Sequence, residues 1–264
     1  MNTLYVLPTH DQAVANARCL CYRWAASALS DPLTGGWEEL IDPATHDIIA
    51  QAAAILRDED GSVARPLARG EQPLSALDPA PLVALLPASR NELNTLYDRN
   101  FGLLSGSKCP PYETEYVPSR FTFQRSNMLA DVAGYYQAFG LQCSTTCPER
   151  SDHIVLELQF MAQLIQLELV ARDHQVDNEA RNAEICLEAQ GRFLQEHVVW
   201  WMPAFCTLLE RQDPTGYYAR VATFIAALVT ADRALFGIES PHLVPEPSPL
   251  EEPDACSGCE LATR

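Results

Sequence analysis

Basic residues are scarce in this chain: 18 Lys and Arg stand against 35 Asp and Glu among 264 residues, a formal charge of −17. That excess repels nucleic-acid phosphates and anionic membranes and favours basic partners. Long apolar runs are scarce too. The longest, residues 221–229 with Thr223 inside it, falls far short of the ~20 residues needed to cross a bilayer. The N-terminus lacks a basic stretch leading into an apolar block and lacks a small-residue cleavage site, which predicts a cytoplasmic protein without a membrane span.

Other absences narrow the chemistry. Neither G-x-G-x-x-G nor G-x-x-x-x-G-K-[ST] occurs, so the common nucleotide cradles are missing. A di-iron bundle wants Glu-x-x-His pairs, yet the residues three before His153, His174 and His197 are Arg150, Ala171 and Leu194. No alternating apolar and polar run between turn signals supports a sheet, and no fixed-period repeat is found. The nine cysteines are odd in number and scattered, which predicts free thiols in a reducing compartment.

What remains is helix. Residues 12–29 carry apolar side chains three and four apart and stop before Asp31-Pro32. Asp42 followed by Pro43 reads as a cap and first-turn residue, and Ser89 with Glu92 as a capping box. Asp213 followed by Pro214 gives the same cap signal for the last helix. Residues 154–173 contain no Gly or Pro. Glu157 and Glu168 share one side of that helix, Gln159, Gln163 and Gln166 lie on another, and the apolar remainder predicts a central helix packed on two faces. The fold class is therefore all-α, a single helical-bundle domain over residues 1–237. Residues 58–88, with five prolines, read as a long irregular connection, and residues 238–264, with five prolines and six acids, as a disordered tail.

The most informative segment is Glu149-Arg150-Ser151-Asp152-His153, at the mouth of the central helix. Carboxylates there can accept from the unsatisfied N–H groups of the first turn, so Ser151 or Asp152 is a candidate N-cap, while His153 beside it can face a groove. Cap and ligand contact are compatible readings.

Glu149-Arg150-Ser151-Asp152-His153-Ile154 resembles the E-P-x-D-H or E-x-P-D-H signature of the TorD/DmsD/NarJ family of redox-enzyme maturation chaperones. Three further blocks agree in order. Pro110-Pro111-Tyr112-Glu113-Thr114-Glu115-Tyr116 resembles the family's P-Y-E-S-x-Y, Tyr135-Tyr136-Gln137-Ala138-Phe139-Gly140 its Y-x-A-F-G, and His197-Val198-Val199-Trp200-Trp201-Met202-Pro203 its H-L-x-x-W-x-P. The signature proline is missing here, with Arg150 and Ser151 in the two variable positions.

The resemblance implies an all-helical, non-catalytic, cofactor-free chaperone. Its partner would be the apo catalytic subunit of a molybdenum-cofactor oxidoreductase, gripped through a twin-arginine signal peptide or the mature part, with the chaperone a monomer or a helix-exchanged dimer. Two arginines followed by an apolar segment need carboxylates at one end of a groove and aromatic walls beyond. Glu149, Asp152, Glu113 and Glu115 are the candidate acids, with His153 beside them, and Tyr112, Tyr116, Tyr97, Phe101 and Trp201 the candidate walls; for these rings an interior position is the competing reading. Two alternatives stay open: an enzyme or cofactor carrier using Asp152 and His153, and a metal-binding regulator using the pairs Cys143/Cys147 and Cys256/Cys259.

Overall fold

The computed structural model describes residues 7–8, 11–58, 66–102, 108–118, 122–142, 149–173 and 177–239. Helix α1 (Gln12–Leu29) starts where the Asp11 carboxylate accepts from the N–H groups of Ala13 and Val14 at 2.7 and 3.1 Å, and Ser30 turns extended at its end. After α2 (Trp37–Ile41), Asp42 accepts from Ala44 and Thr45, and Pro43 opens α3 (Pro43–Asp58). The four-residue α4 (Ala80–Val83) precedes α5 (Arg90–Phe101). There Ser89 accepts from the Glu92 N–H at 3.3 Å, and the Glu92 carboxylate reaches back to the N–H of Ala88 rather than of Ser89. The chain continues through α6 (Thr122–Ala138), α7 (Ile154–Asp173) and α8 (Asp177–Phe193). A π-helical turn, Leu194–Val198, leads on to α9 (Met202–Gln212) and α10 (Tyr217–Leu235). Among the described residues there is no strand, and one isolated antiparallel bridge joins Tyr112 to His153.

α7 is the centre of the bundle, packed between α1 and α8, while α10 lies against α9 and α1. Alanines at 15, 17, 25, 26 and 28 of α1 and at 219, 222, 226 and 227 of α10 are buried, and their small side chains let the helix backbones approach closely. Trp24 meets Phe224 edge-on at 5.3 Å, each burial of this size stabilising by about 1.5–3 kcal/mol. Glu157 and Glu168 turn inward, fully buried, whereas Gln159 and Gln166 face out. By length and composition α7 is apolar enough to cross a membrane; 56% of that window is buried inside this bundle, the behaviour of a core helix.

Two buried ion pairs tie the last helix to the first third of the chain. Arg18 on α1 grips Asp232 with two hydrogen bonds (2.7 and 2.8 Å), and Tyr22 and Gln190 complete the network. Arg233, the next residue, pairs with Glu71 at 2.9 Å.

Three expectations change. Asp213 is not a helix cap: its carbonyl accepts from the N–H of Gly216 in a tight turn, and α10 begins only at Tyr217. Residues 66–88 of the proline-rich connection are a packed strap, with Leu77, Leu82 and Glu71 buried. Gly70 sits there at φ +88°, so close to α9 that a Cβ would lie 2.4 Å from the Pro203 carbonyl oxygen. Ile238, placed in the tail by composition, is 4% exposed and donates its N–H to the Arg233 carbonyl; residues 240–264, including Cys256 and Cys259, lie outside the described residues.

Candidate functional site

Two non-helical segments meet at the start of α7. The pair Pro110-Pro111 favours extended backbone before each ring, and this stretch runs antiparallel to residues 152–154. The Glu113 N–H donates to the Asp152 carbonyl and the Ile154 N–H to that of Pro111, both at 2.9 Å. A 3-10 turn, Glu113–Tyr116, follows. His153 is the cap of α7. Its carbonyl accepts from Leu156 and Glu157, and its Nδ1 accepts from the Val155 N–H at 3.2 Å. Ser151 and Asp152 are therefore not the cap, because Thr114 draws the Asp152 carboxylate the other way: its N–H (3.1 Å) and hydroxyl (2.7 Å) both donate to Oδ2.

Arg150, in a position that the family signature leaves variable, closes this corner. Its guanidinium spans both Asp152 oxygens (3.0 and 2.8 Å), donates to Glu115 at 3.1 Å, and lies 4.3 Å over the Tyr112 ring. The Tyr112 hydroxyl donates to Glu149 at 3.2 Å, and burial followed by the Glu149 charge pushes its pKa up to about 12. The Arg150 side chain keeps 41% of its surface in water, while Asp152 has none.

Beneath lies a second tier. Glu113, with no exposure, accepts from His197 Nδ1 at 3.1 Å and from the Trp200 indole at 2.9 Å. Burial alone would lower the pKa of His197; Glu113, then Asp131 and Glu196, outweigh it and raise the pKa. Glu157 accepts from the Trp201 indole at 3.1 Å through one oxygen, and the other has no partner. Burial, then the charges of Glu113 and Asp152, hold its carboxyl well above the usual range.

The ten sequence-predicted residues thus divide. Asp152, His153, Glu113, Tyr116 and Trp201 are enclosed and do not present a surface; the Tyr116 and Trp201 rings pack on each other at 5.2 Å. Glu149, Glu115 and Tyr112 form the reachable rim. Tyr97 is half-buried, and burial, then the charges of Asp31 and Glu149, raise its pKa. Phe101 packs edge-on against Tyr218 at 5.2 Å.

The apolar walls are other residues. One turn into α7, a cavity of about 240 Å³ is lined by Tyr136, Leu141, Leu156 and Phe160 with Gln159 and Gln163 at its lip. A second, separate cavity of about 350 Å³ lies further along α7, lined by Leu167 and Val170 with Phe139 just after α6 and Ile185 of α8. Gly140, at φ +73°, ends α6 and lets the Leu141 N–H return to the Tyr136 carbonyl at 2.9 Å, which lays Leu141 into the first cavity. The Tyr136 hydroxyl donates to the Ser151 carbonyl at 2.8 Å, joining the first cavity to the acidic rim. From Leu156 in the first cavity to Val170 in the second, α7 advances ~21 Å.

The model of the nitrate reductase delta subunit family matches residues 71–207, which include most of the strap, the rim and the π turn. The chain belongs to that family. The TorD/DmsD/NarJ resemblance read from four short blocks agrees with it. Relatives of this delta-subunit-family chain include the selenate reductase assembly chaperone protein of Thauera selenatis, 32% identical over 119 residues, 45% of this chain and 58% of that one. The chlorate reductase assembly chaperone protein of Ideonella dechloratans is 29% identical over 126 residues (48% and 60%), and chaperone protein TorD of Photobacterium profundum 27% over 160 (56% and 71%). The chain thus spans 58% and 60% of the length of the first two.

Proposed function

We propose that this chain is an assembly chaperone that binds the apo catalytic subunit of a molybdenum-cofactor oxidoreductase in the cytoplasm and holds it before export or assembly. The observation that carries this reading is that the acidic rim at Glu149 and Glu115 and two mainly apolar cavities lined by α7 lie near one another, the Tyr136 hydroxyl of the first cavity bonding the Ser151 carbonyl between the rim and α7. A peptide with arginines followed by an apolar helix matches both parts, charge to charge and stripe to cavities. The names of the relatives support the chaperone role. Catalysis by Asp152 and His153 is disfavoured: both Asp152 oxygens are bonded, and the His153 Nδ1 lone pair is held by the Val155 N–H.

Arg150 already sits where a client arginine would. In this reading the client displaces it into water, so Arg150 competes for the rim and sets how strong a basic motif must be. The test is calorimetry with a synthetic peptide carrying two arginines and an apolar helix. Glu115→Gln with Glu149→Gln should weaken binding about tenfold, and added salt should weaken it further. Unchanged affinity in the double variant would refute the rim as the arginine site.

A further inference from the structure

The proposed function leaves unused a group of side chains on the far side of Glu113. His197, in the π turn, is 2% exposed. Its Nδ1 lies 3.1 Å from both Glu113 oxygens and donates there, since the carboxylate can only accept. Nε2 makes no hydrogen bond, although Asp131 Oδ2 on α6 stands 3.4 Å away. Glu196 brings a second carboxylate, fixed by the Tyr135 hydroxyl at 2.7 Å. One ligand atom from each of Asp131, Glu196 and His197 lies within 4.8 Å of the other two.

A buried imidazole nitrogen facing two carboxylates needs a positive charge between them. A proton on Nε2 supplies one, but at 3.4 Å it forms no proper hydrogen bond. The same distance suits a metal: ligand atoms around a tetrahedral cation with bonds of ~2.1 Å stand about 3.4 Å apart. Imidazoles that bind metals commonly donate their other N–H to a carboxylate, the part Glu113 plays here. One nitrogen and two carboxylate oxygens without thiolate suit zinc or manganese(II); calcium takes oxygen ligands alone. Asp131 keeps 61% of its side chain in water, so a cation has a path in and positions left for solvent.

We propose that Asp131, Glu196 and His197 bind one divalent first-row transition cation, with Glu113 as the positioning residue. The cation would clamp α6 to the π turn and, through Glu113, to the 3-10 turn under the acidic rim. The site stands independently of the peptide reading.

The test uses the full chain freed of metal by chelator and titrated with Mn2+, followed by electron paramagnetic resonance, and separately with Co2+, followed by absorption. One equivalent of Mn2+ should bind, Co2+ should give d–d bands without thiolate charge transfer, and the melting temperature should rise with Mn2+. Asp131→Asn and Glu196→Gln, both at exposed side chains, should each cost at least ~10-fold in affinity with unchanged circular dichroism. No bound Mn2+ would leave only a proton at Nε2 and overturn the proposal. Equal affinity in both variants, or a thiolate band pointing to the cysteines, would overturn it as well.

Discussion

Two clusters of buried carboxylates, built from the same residue types, differ in where their arginine ends. In the interior, Arg18 grips both oxygens of Asp232 and also Gln190, with side chains 3% and 1% exposed. At the rim, Arg150 makes the same two-pronged contact with Asp152 and adds Glu115, but 41% of it faces water. Arg18 can leave Asp232 only if α1 and α10 separate. Arg150 can leave by rotating into solvent. Exchangeability therefore follows the solvent access of the cation and not the number of its bonds, and an equally well-bonded pair can be a fold determinant in one place and a replaceable occupant in the other.

That contrast can be broken by substitution. Asp232→Ala strands Arg18 in the interior and should cost about 3–5 kcal/mol in urea unfolding. A loss under ~1 kcal/mol would mean that Arg18 finds water, and the distinction would fall. Asp152→Ala leaves the Thr114 N–H without a partner while Arg150 re-solvates, so about 2–3 kcal/mol is expected from the same measurement.

Glu157→Gln imitates the neutral acid. A carboxyl raised in the fold favours folding below its unfolded pKa of about 4.3, and that contribution is lost as pH rises toward the folded value. The variant should match the native protein near pH 4 and become progressively the more stable above it; parallel stability curves from pH 4 to 8 would refute a raised Glu157. Arg150→Ala is expected to cost about 1–2 kcal/mol: the arginine itself is 41% exposed, but its loss leaves the enclosed Asp152 carboxylate with Thr114 as its remaining donor. It should tighten binding of the arginine peptide, and weaker binding would show that Arg150 helps the client and does not compete with it.

Much of the fold was legible because its signals are local. The Ser89 cap and Asp42 with Pro43 depend on residues within a turn of one another. Asp213-Pro214 carried the same local signal and misled, since Gly216 holds a turn where the helix would have begun. The π turn has no residue signature of its own; it shows only as the Val199 N–H reaching Leu194. At the site, the two segments that meet were both singled out, yet which side chains would be enclosed was not readable. Glu113 meets His197 across 84 positions and Asp152 meets Thr114 across 38, and neither spacing leaves a trace in sequence. α7 is apolar around most of its circumference, so pattern alone did not separate the buried face of Leu158 and Ile165 from the cavity-lining Leu156, Leu167 and Val170.

The consecutive residues Asp232 and Arg233 have a consequence for the order in which the chain matures. Their partners, Arg18 and Glu71, are made early during synthesis, separated from them by 214 and 162 positions. Until α10 leaves the ribosome, α1 and the strap each hold a charge that the finished interior neutralises only from the far end. The N-terminal part therefore cannot close its core while translation is under way. A chain tied in this way must wait for α10 before its own fold is complete.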